Sequence, residues 1–519
     1  MSVRSKLGLS RLFGAIGLGI LPGCMTAPPP AEGLLLRPLD VNATQLAQET
    51  EPPPRPILQT PRVPGTPLPL RLRVPAELPG AEVPPLVMPS ATTDRPAFER
   101  ALAEMFPASP AMPADLVPTD GAMLNLAELQ QQMLSAHPSL RQAAADVDAA
   151  RGAALQAGLP PNPSLGFEAD TVGSGRTAGQ QGAKYEQLIK TAGKLRLAQA
   201  AALIDVLTAE VNLRRAQYDL ITQVRAAYFA VLVAQEQLRI AHLVARLTDE
   251  SFRVQVDQLR GGQAAPYEPA QLRALAEQAR AALRQAENRY RSAWRQLAAA
   301  VGRPDLPPTK LAGSATMAVP AFDYELLRAR MLEVHTDLRN AANGVARART
   351  QVRIAEVTPV PDVNLKVVVQ KDFTTPPFAT TANVEIGVPT PVWDRNQGGI
   401  QQARAQLGRA LEEAQRVRLD LQTRLADAIE RYETSRQFVE AYRNQILPDQ
   451  VRAYRGVVQR YQQEPEKVNY NDIITTQQSL VTSLANYLQA LAGQWQAVAD
   501  LAALAQLDDL YPAVPEVKK

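Results

Sequence analysis

The 519-residue sequence has little of the chemistry that enzymes and metal sites use, with one cysteine and three histidines. The single cysteine, Cys24, excludes a disulfide within the chain and a zinc site built from several cysteines. Aromatic residues make up only 5%, which is low for a compact enzyme core. We therefore expect no catalytic residues, no cofactor and no resident metal ion.

An excess of charge of one sign is also missing. The chain carries 55 Lys and Arg against 52 Asp and Glu, a net charge of +3. Proteins that bind nucleic acid usually present a strongly basic surface, so we expect no nucleic-acid partner. The glycines at 173, 175 and 179 lack dinucleotide-binding spacing and lie between predicted strands. A serine-hydrolase motif is likewise absent.

The apolar stretch at residues 13–21 is too short to span a bilayer as a helix. It follows a basic start and ends in Leu-Pro-Gly-Cys at residues 21–24, which resembles a bacterial lipobox. We predict a lipoprotein signal peptide at residues 1–23 and a lipid-modified Cys24. A plain secretory signal with an incidental cysteine is the alternative.

Proline is concentrated near the front of the chain. Of 43 prolines, 22 lie between residues 26 and 118. This stretch lacks sustained hydrophobic periodicity, which predicts an extended and largely disordered tether over residues 24–118. Residues 97–106 form a candidate short helix within it.

The rest of the chain contains two copies of one pattern, at a constant offset of 198 residues. Matching pairs are Met133 and Met331, His137 and His335, Pro161 and Pro359, and Pro163 and Pro361. A repeat of this length is a duplicated half of a domain. We divide the body into a first repeat at 119–310, a second repeat at 311–508 and a C-terminal tail at 509–519.

Each repeat is predicted to run helix, strand pair, long helix, helix. In the first repeat these elements are a helix at 124–158, strands within 160–191, a long helix at 193–260 and a helix at 266–301. In the second repeat they are a helix at 324–357, strands within 361–390, a long helix at 397–462 and a helix at 465–507. A helix of about 65 residues is about 100 Å long, which a compact domain cannot contain.

The last helix of each repeat carries apolar or small residues at alternating steps of four and three. This spacing is typical of a coiled-coil seam, with ordinary amphipathic helices as the alternative. The seam positions are Leu272, Ala276, Ala279, Leu283, Ala286, Tyr290, Ala293 and Leu297, and Ile473, Gln477, Leu480, Leu484, Tyr487, Leu491, Gln494, Val498 and Leu501.

The predicted strands alternate apolar and polar residues. Val363, Leu365, Val367 and Val369 fall on one face of their strand. Period two with one apolar face is typical of a membrane β-barrel strand, although a soluble antiparallel sheet is the alternative. Four strands cannot close a barrel around a pore, so the barrel interpretation requires oligomerisation.

Three motifs resemble the TolC-like outer-membrane efflux proteins over residues 120–508. They are Leu-Pro-Pro-Asn-Pro at 159–163, Glu-Gln-Leu-Ile-Lys-Thr-Ala-Gly-Lys at 186–194 and Val-Trp-Asp-Arg-Asn-Gln-Gly at 392–398. The last motif and the lipobox are most similar to the heavy-metal efflux branch, which is CusC- and CzcC-like. The long proline-rich segment is a departure from the family.

The resemblance implies a mainly α fold with a small membrane β-barrel portion. It implies a homotrimer in outer-membrane lipid, with four strands per chain in a shared 12-stranded barrel and the helices in a periplasmic tunnel. The implied partners are a periplasmic adaptor protein and an inner-membrane pump of the RND class. The implied function is a passive exit duct, and a coiled-coil structural or adaptor-type lipoprotein is the alternative.

The resemblance also implies three groups of functional positions. The hairpin tips that form the aperture and adaptor-docking end match Arg260, Gly261, Gly262 and Gln263, and Gln463, Glu464 and Pro465. The strand-to-helix turns match Gly193 and Lys194, and Asp394, Arg395, Asn396, Gln397 and Gly398, with Asp394 expected to cap the helix. The helix-to-strand entries match Pro161, Pro163, Pro359 and Pro361. We expect charge reversal at Arg260 to impair docking or sealing more than charge reversal at mid-helix Arg280, as measured by transport.

Overall fold

The structure is a computed structural model that describes residues 75–84, 86–112, 123–464, 467–468 and 470–511. The predicted signal peptide, Cys24, most of the predicted tether, Pro465 and the end of the C-terminal tail lie outside the described residues. The chain divides into two compact units after Pro84. Residues 75–84 of the first unit form successive turns, closed by bonds such as Leu78 N–H to Pro75 O.

Ten α-helices and four β-strands make up the described part of the second unit. The helices are α1 (Arg95–Met105), α2 (Leu126–Ala136), α3 (Pro138–Gly158), α4 (Lys194–Arg260), α5 (Tyr267–Val301), α6 (Tyr324–Val334), α7 (Thr336–Val357), α8 (Gln397–Ala441), α9 (Leu447–Gln463) and α10 (Tyr470–Leu504). The strands are β1 (Ser164–Asp170), β2 (Gln180–Ile189), β3 (Val363–Asp372) and β4 (Thr380–Gly387).

Two of the helices are far longer than a globular domain accommodates. Helix α4 has 67 residues, which corresponds to about 100 Å at 1.5 Å per residue. Helices α8 and α9 continue one another through a five-residue π-helical turn, Tyr442–Ile446. Among the described residues, no helix combines the length and the apolar character needed to cross a membrane.

The two repeat-related histidines break the first predicted helix of each repeat into two. His137 lies between α2 and α3, and His335 lies between α6 and α7. Each accepts a hydrogen bond at Nδ1 from the backbone two residues on, at 3.2 Å from Ser139 and 3.1 Å from Asp337. Burial lowers the pKa of His335, which keeps Nδ1 free to accept. Their role is therefore helix capping.

The four strands form one antiparallel sheet in the order β1-β2-β3-β4. The register aligns Leu165 with Tyr185, Tyr185 with Val367 and Val367 with Val384, so these side chains share one face. The opposite face carries charged residues, including the ion pair of Lys366 with Glu168 at 2.8 Å. The alternation predicted from the sequence thus gives the sheet one apolar face and one charged face, and β1 and β4 are its edge strands.

The predicted coiled-coil seams are buried. Of the seam positions on α5 and α10, only Ala293 and Leu484 are partly exposed. Both helices contact α4, and α10 also contacts α8 and α9. The largest hydrophobic cluster extends from these helices to α2 and α6. Packing along helix faces, rather than around a central core, therefore stabilises the fold.

The connector between α5 and α6 is held by hydrogen bonds from both repeats. The carbonyl of Leu306 accepts from Trp294 Nε1 at 2.9 Å, and that of Ala315 accepts from Trp495 Nε1 at 2.7 Å. The carbonyl of Pro320 accepts from Tyr432 Oη at 2.7 Å. Because an irregular connector cannot pair its own backbone, these donors satisfy groups that would otherwise be buried without partners. The connector is a fixed joint.

Residues 86–112 differ from the tether predicted for them, because they fold onto the helices. Asp94 caps α1 by accepting from Ala97 N–H at 3.0 Å, and Phe98, Leu102 and Phe106 are buried. Burying side chains of this size contributes about 1.5–3 kcal/mol each, before the entropy of ordering the segment is subtracted. These three apolar side chains, spaced four residues apart, therefore hold the proline-rich segment against the helices.

Candidate functional site

The predicted functional positions lie at the two ends of the long helices. The strand-to-helix turns and the proline entries meet at the sheet end, and the predicted hairpin tips lie about 100 Å of helix away along α4.

The turn from β2 into α4 is fixed by a carboxylate from the other repeat. Asp362 accepts from Lys190 Nζ at 2.8 Å, from Lys194 Nζ at 2.8 Å and from Thr191 N–H at 3.1 Å. Gly193 supplies the left-handed backbone of the turn, with φ of 69°, so Lys194 can begin the helix. The predicted residue Lys194 is thus held by Asp362, a residue that was not predicted from the sequence.

Desolvation raises the pKa of the Asp362 carboxyl, but the hydrogen bonds from Lys190, Lys194 and Thr191 outweigh it and lower the pKa well below its usual range. The carboxylate therefore stays ionised and binds both repeats together at the base of the sheet.

The proline entries terminate helices and accept hydrogen bonds from β2 and the turn after it. Pro161 and Pro163 lie between α3 and β1, and Pro359 and Pro361 lie between α7 and β3. The carbonyl of Pro161 accepts from Gln187 Nε2 at 2.8 Å, and that of Pro361 accepts from Thr191 Oγ1. Proline lacks the N–H that would continue a helix, so the helix ends before each entry and the chain continues as a strand.

The second turn, from β4 into α8, is built differently from our expectation. Asp394 was predicted to cap α8, but the capping position is Asn396, with φ of 57°. Asp394 Oδ1 instead accepts from Asn396 N–H at 2.9 Å, which closes a tight turn before the helix. Two carboxamides secure this turn: Asn396 Nδ2 donates to Ala355 O at 2.8 Å, and Gln397 Oε1 accepts from Arg395 N–H at 3.1 Å. Gly398 follows in the first turn of α8.

The first hairpin tip ends α4 with a glycine cap. Gly262 has φ of 75°, and its N–H donates to Leu259 O at 3.0 Å, while Gln263 N–H donates to Gln258 O at 2.8 Å. This pair of bonds is the Schellman arrangement, and the left-handed position at Gly262 is the one that favours glycine. Gly261 precedes it at the helix end.

Arg260 lies beside this cap and makes two ionic contacts. Its Nη1 is 2.8 Å from Asp257 Oδ1, and its Nε is 3.4 Å from Glu99 Oε2 of α1. The predicted tip residue Arg260 therefore contacts Glu99, in the candidate short helix at residues 97–106 of the predicted tether.

The second tip is closed by a charged residue. Helix α9 ends at Gln463, and Glu464 N–H donates to Arg460 O at 2.8 Å. Glu464 Oε1 is 3.3 Å from Lys467 Nζ, which brings the chain back toward α10. Pro465 lies outside the described residues.

The mid-helix residue chosen for comparison with Arg260 is not a neutral surface position. Arg280 is buried, with its Nη2 2.8 Å from Asp249 Oδ2 and 2.9 Å from Pro110 O. Charge reversal there would also disturb folding, because a buried charge depends on its partner, so Arg280 is a poor control for an effect on docking or sealing. Arg284, exposed one turn further along α5, is the appropriate comparison.

Comparison with known proteins assigns this architecture to a family. The model of the family described as "Outer membrane efflux protein" matches residues 129–303 and 327–505, which is more than half of the chain. The chain belongs to the outer membrane efflux protein family. The two matched ranges coincide with the two helix-strand-helix halves, and this family consists of transport channels, not enzymes.

The chain is similar to a curated heavy-metal resistance protein. It is 26% identical over 373 residues to the cobalt-zinc-cadmium resistance protein CzcC of Cupriavidus metallidurans, covering 69% of this chain and 84% of that protein.

Solved structures share the fold. A membrane protein from Pseudomonas aeruginosa has a TM-score of 0.64 at 18% identity, covering 76% of this chain and 99% of that one. CusC has a TM-score of 0.63 at 17% identity, covering 76% and 98%. The fold is therefore that of a TolC-like channel, and the protein is an efflux protein of the bacterial outer membrane.

The contacts of Asp362 and of the α1 stripe were not predicted from the sequence, although a short helix at residues 97–106 was predicted and lies at Arg95–Met105. Asp362 follows Pro361 at a strand entry, but nothing local indicates that its partners lie 172 and 168 residues away. The α1 stripe did carry a signal, since Asp94 before Pro96 is a helix start and Phe98, Leu102 and Phe106 recur every four residues.

Replacing Asp362 with asparagine should weaken the junction at the sheet end. The amide cannot form ion pairs with Lys190 and Lys194, and we expect a loss of about 1.5–3 kcal/mol, the usual range for hydrogen bonds to charged groups. The measurement is the temperature at which the detergent-solubilised protein loses its helical circular dichroism signal.

The same replacement should change the response to acid. Because folding lowers the pKa of Asp362, its contribution is complete above about pH 4 and is lost as the pH falls below that value. The control is Asp148→Asn, an exposed carboxylate paired with Arg151. An equal loss of stability in both variants would contradict this role for Asp362.

Proposed function

We propose that three copies of this chain form an outer-membrane exit duct. Each copy contributes its four strands to a 12-stranded barrel and its long helices to a periplasmic tunnel. The carrying observation is a four-stranded sheet whose edges, β1 and β4, have no further partner among the described strands. Open sheet edges are not tolerated in hydrocarbon, so closure requires strands from other copies.

The apolar face of the sheet supports the same arrangement. Leu165 and Phe167 on β1, and Val384 and Ile386 on β4, are all more than half exposed in one chain. Contiguous exposed apolar side chains of this kind indicate contact with lipid or protein. The charged face, with Lys366 and Glu168, then lines the aqueous interior.

The remaining parts of the chain have separate roles in this duct. Residues 1–23 are a signal peptide, and Cys24 carries a lipid that adds an anchor in the outer membrane. Residues 119–310 and 311–508 are the two structural repeats. The hairpin tips, at Arg260–Gln263 and Gln463–Pro465, form the periplasmic end that docks onto a periplasmic adaptor and, through it, an RND-type pump.

Divalent transition-metal ions are the favoured substrates. The support is the cobalt-zinc-cadmium resistance relative. The described residues contain no cluster of three or more His, Cys, Asp or Glu side chains placed to hold a metal. Conduction needs weak and dispersed contacts, so a duct can pass these ions without a tight site.

The first experiment is the mass of the detergent-extracted particle by light scattering, with the detergent contribution subtracted. We expect three chains, recovered from outer-membrane fractions. A monomer that remains soluble without detergent after Cys24→Ser would overturn the barrel, and a coiled-coil adaptor-type lipoprotein would then be the better interpretation. As a second readout, deletion of the gene should lower tolerance to cobalt, zinc and cadmium; lost tolerance to organic drugs alone would change the substrate class.

A further inference from the structure

Helix α1 shares one hydrophobic cluster with both helical hairpins of the chain near the predicted tip. The first hairpin is α4 with α5, and the second is α8 and α9 with α10. The buried stripe of Phe98, Leu102 and Phe106 packs in one cluster with residues of both hairpins. From the first hairpin these are Phe252, Leu259, Leu272 and Ala276, and from the second they are Ile474 and Tyr470.

Three arginines of the first hairpin hold the segment along its length. Arg260 contacts Glu99 at 3.4 Å, Arg273 Nη1 donates to Met105 O at 2.7 Å, and Arg280 Nη2 donates to Pro110 O at 2.9 Å. The contacts follow the chain in order, so the segment starts beside the tip and runs away from it along α5. The segment is therefore fixed in one direction and register.

Two side-chain hydrogen bonds also join the hairpins at this level. Tyr461 Oη is 3.1 Å from Gln258 Oε1, and Tyr470 Oη donates to Ser251 O at 3.2 Å. Water can replace hydrogen bonds of this kind when surfaces separate. The apolar cluster around α1 cannot be exposed so easily, because water offers its side chains no equivalent contact.

We propose that residues 86–112 are a latch that holds the two hairpins of each chain together at the tip and keeps the tunnel end narrow. When the latch leaves, the apolar cluster no longer holds the tip end of α10 against α4 and α5, so that end of α10 can move outward and the tip widens. This inference rests on the proposed duct function and adds a control element to it.

The latch also gives the proline-rich segment a role. Between Cys24 and residue 86 lie 61 residues (25–85), with a contour length of about 200 Å. This exceeds the length of α4, about 100 Å. A lipid anchor at Cys24 and a latch at the tip are thus compatible in one chain.

The test compares two neighbouring substitutions on α1. Leu102→Asp puts a charge into the buried stripe, where the side chain is 1% exposed, whereas Ala103→Asp puts the same charge on the exposed face. In planar bilayers we expect Leu102→Asp to raise single-channel conductance or open time by about twofold or more, because the variant shifts the closed–open population. Ala103→Asp should conduct like the unmodified protein.

The outcomes separate the latch from the duct. Channels that conduct equally in all three proteins would overturn the latch and leave the duct standing. Trimeric particles that never conduct would overturn the duct. If Leu102→Asp fails to assemble, Phe98→Ala weakens the same stripe without adding a charge, and unchanged conductance there would overturn the latch.

A distance measurement tests the movement itself. Spin labels at Asp257→Cys on α4 and Asn471→Cys on α10 occupy exposed positions on the two hairpins near the tip. We expect the label distance to lengthen and broaden in the Leu102→Asp protein and to stay unchanged with Ala103→Asp. Unchanged distances in both variants would contradict the movement of α10. Labelling of the protein without introduced cysteines gives the background signal.

Discussion

Arg280→Glu should destabilise the first hairpin by about 3–5 kcal/mol, the range measured when one partner of a buried ion pair is removed. The Arg280 and Asp249 side chains are 8% and 6% exposed, and they meet at 3.2 and 2.8 Å through two nitrogens. The substitution places a second carboxylate beside Asp249 and leaves Pro110 O without its donor. The measurement is the unfolding temperature of the solubilised protein, with proteolysis near the tip as a local readout.

Two matched variants make this prediction specific. Arg284→Glu makes the same charge change on the exposed surface of α5 and should change stability by less than about 0.5 kcal/mol. Replacing both partners, as in Arg280→Met with Asp249→Leu, should recover much of the loss, because no unpaired charge then stays buried. If Arg280→Glu and Arg284→Glu unfold at the same temperature, the pair is not a buried electrostatic contact in the assembled protein.

Trp495→Ala should be the most damaging substitution at the joint between the repeats, at about 3–5 kcal/mol. The indole is 1% exposed and stacks on Phe229 with ring centroids 4.0 Å apart and an interplanar angle of 11°. Its Nε1 also donates to Ala315 O at 2.7 Å. Alanine therefore leaves a cavity, removes the stacking and strands a carbonyl of the connector.

A conservative replacement separates packing from hydrogen bonding. Trp495→Phe keeps most of the stacking on Phe229 but loses the donor to Ala315, and we expect it to cost about 1–3 kcal/mol. Thermal unfolding of the two variants in the same detergent gives the comparison. A Phe variant as unstable as the Ala variant would assign the effect to the hydrogen bond alone, against our expectation that packing dominates.

The sequence by itself determined the features that repeat locally. Alternation at Val363, Leu365, Val367 and Val369 depends only on the two-residue period of a strand, and the register confirms their common face. The seams of α5 and α10 depend only on the helical period and are buried as expected. Three short motifs were enough to predict the family, and the family model confirms that prediction.

Tertiary structure alone decided the partners of isolated polar residues. Asp362 is ionised because Lys190, Thr191 and Lys194 of the other repeat surround it, and Arg280 is buried because Asp249 and the N-terminal segment cover it. Neither pairing leaves a period in the sequence, since the residues come together only after distant elements pack.

In the N-terminal segment, local sequence predicts two different structures and tertiary packing decides between them. Its proline content predicts an extended chain, while the four-residue spacing of Phe98, Leu102 and Phe106 predicts a short helix with one apolar face. An 11-residue helix is marginal in isolation, so packing against the long helices decides between these states. The cluster that receives its apolar face combines residues of α4, α5 and α10, which local sequence cannot specify.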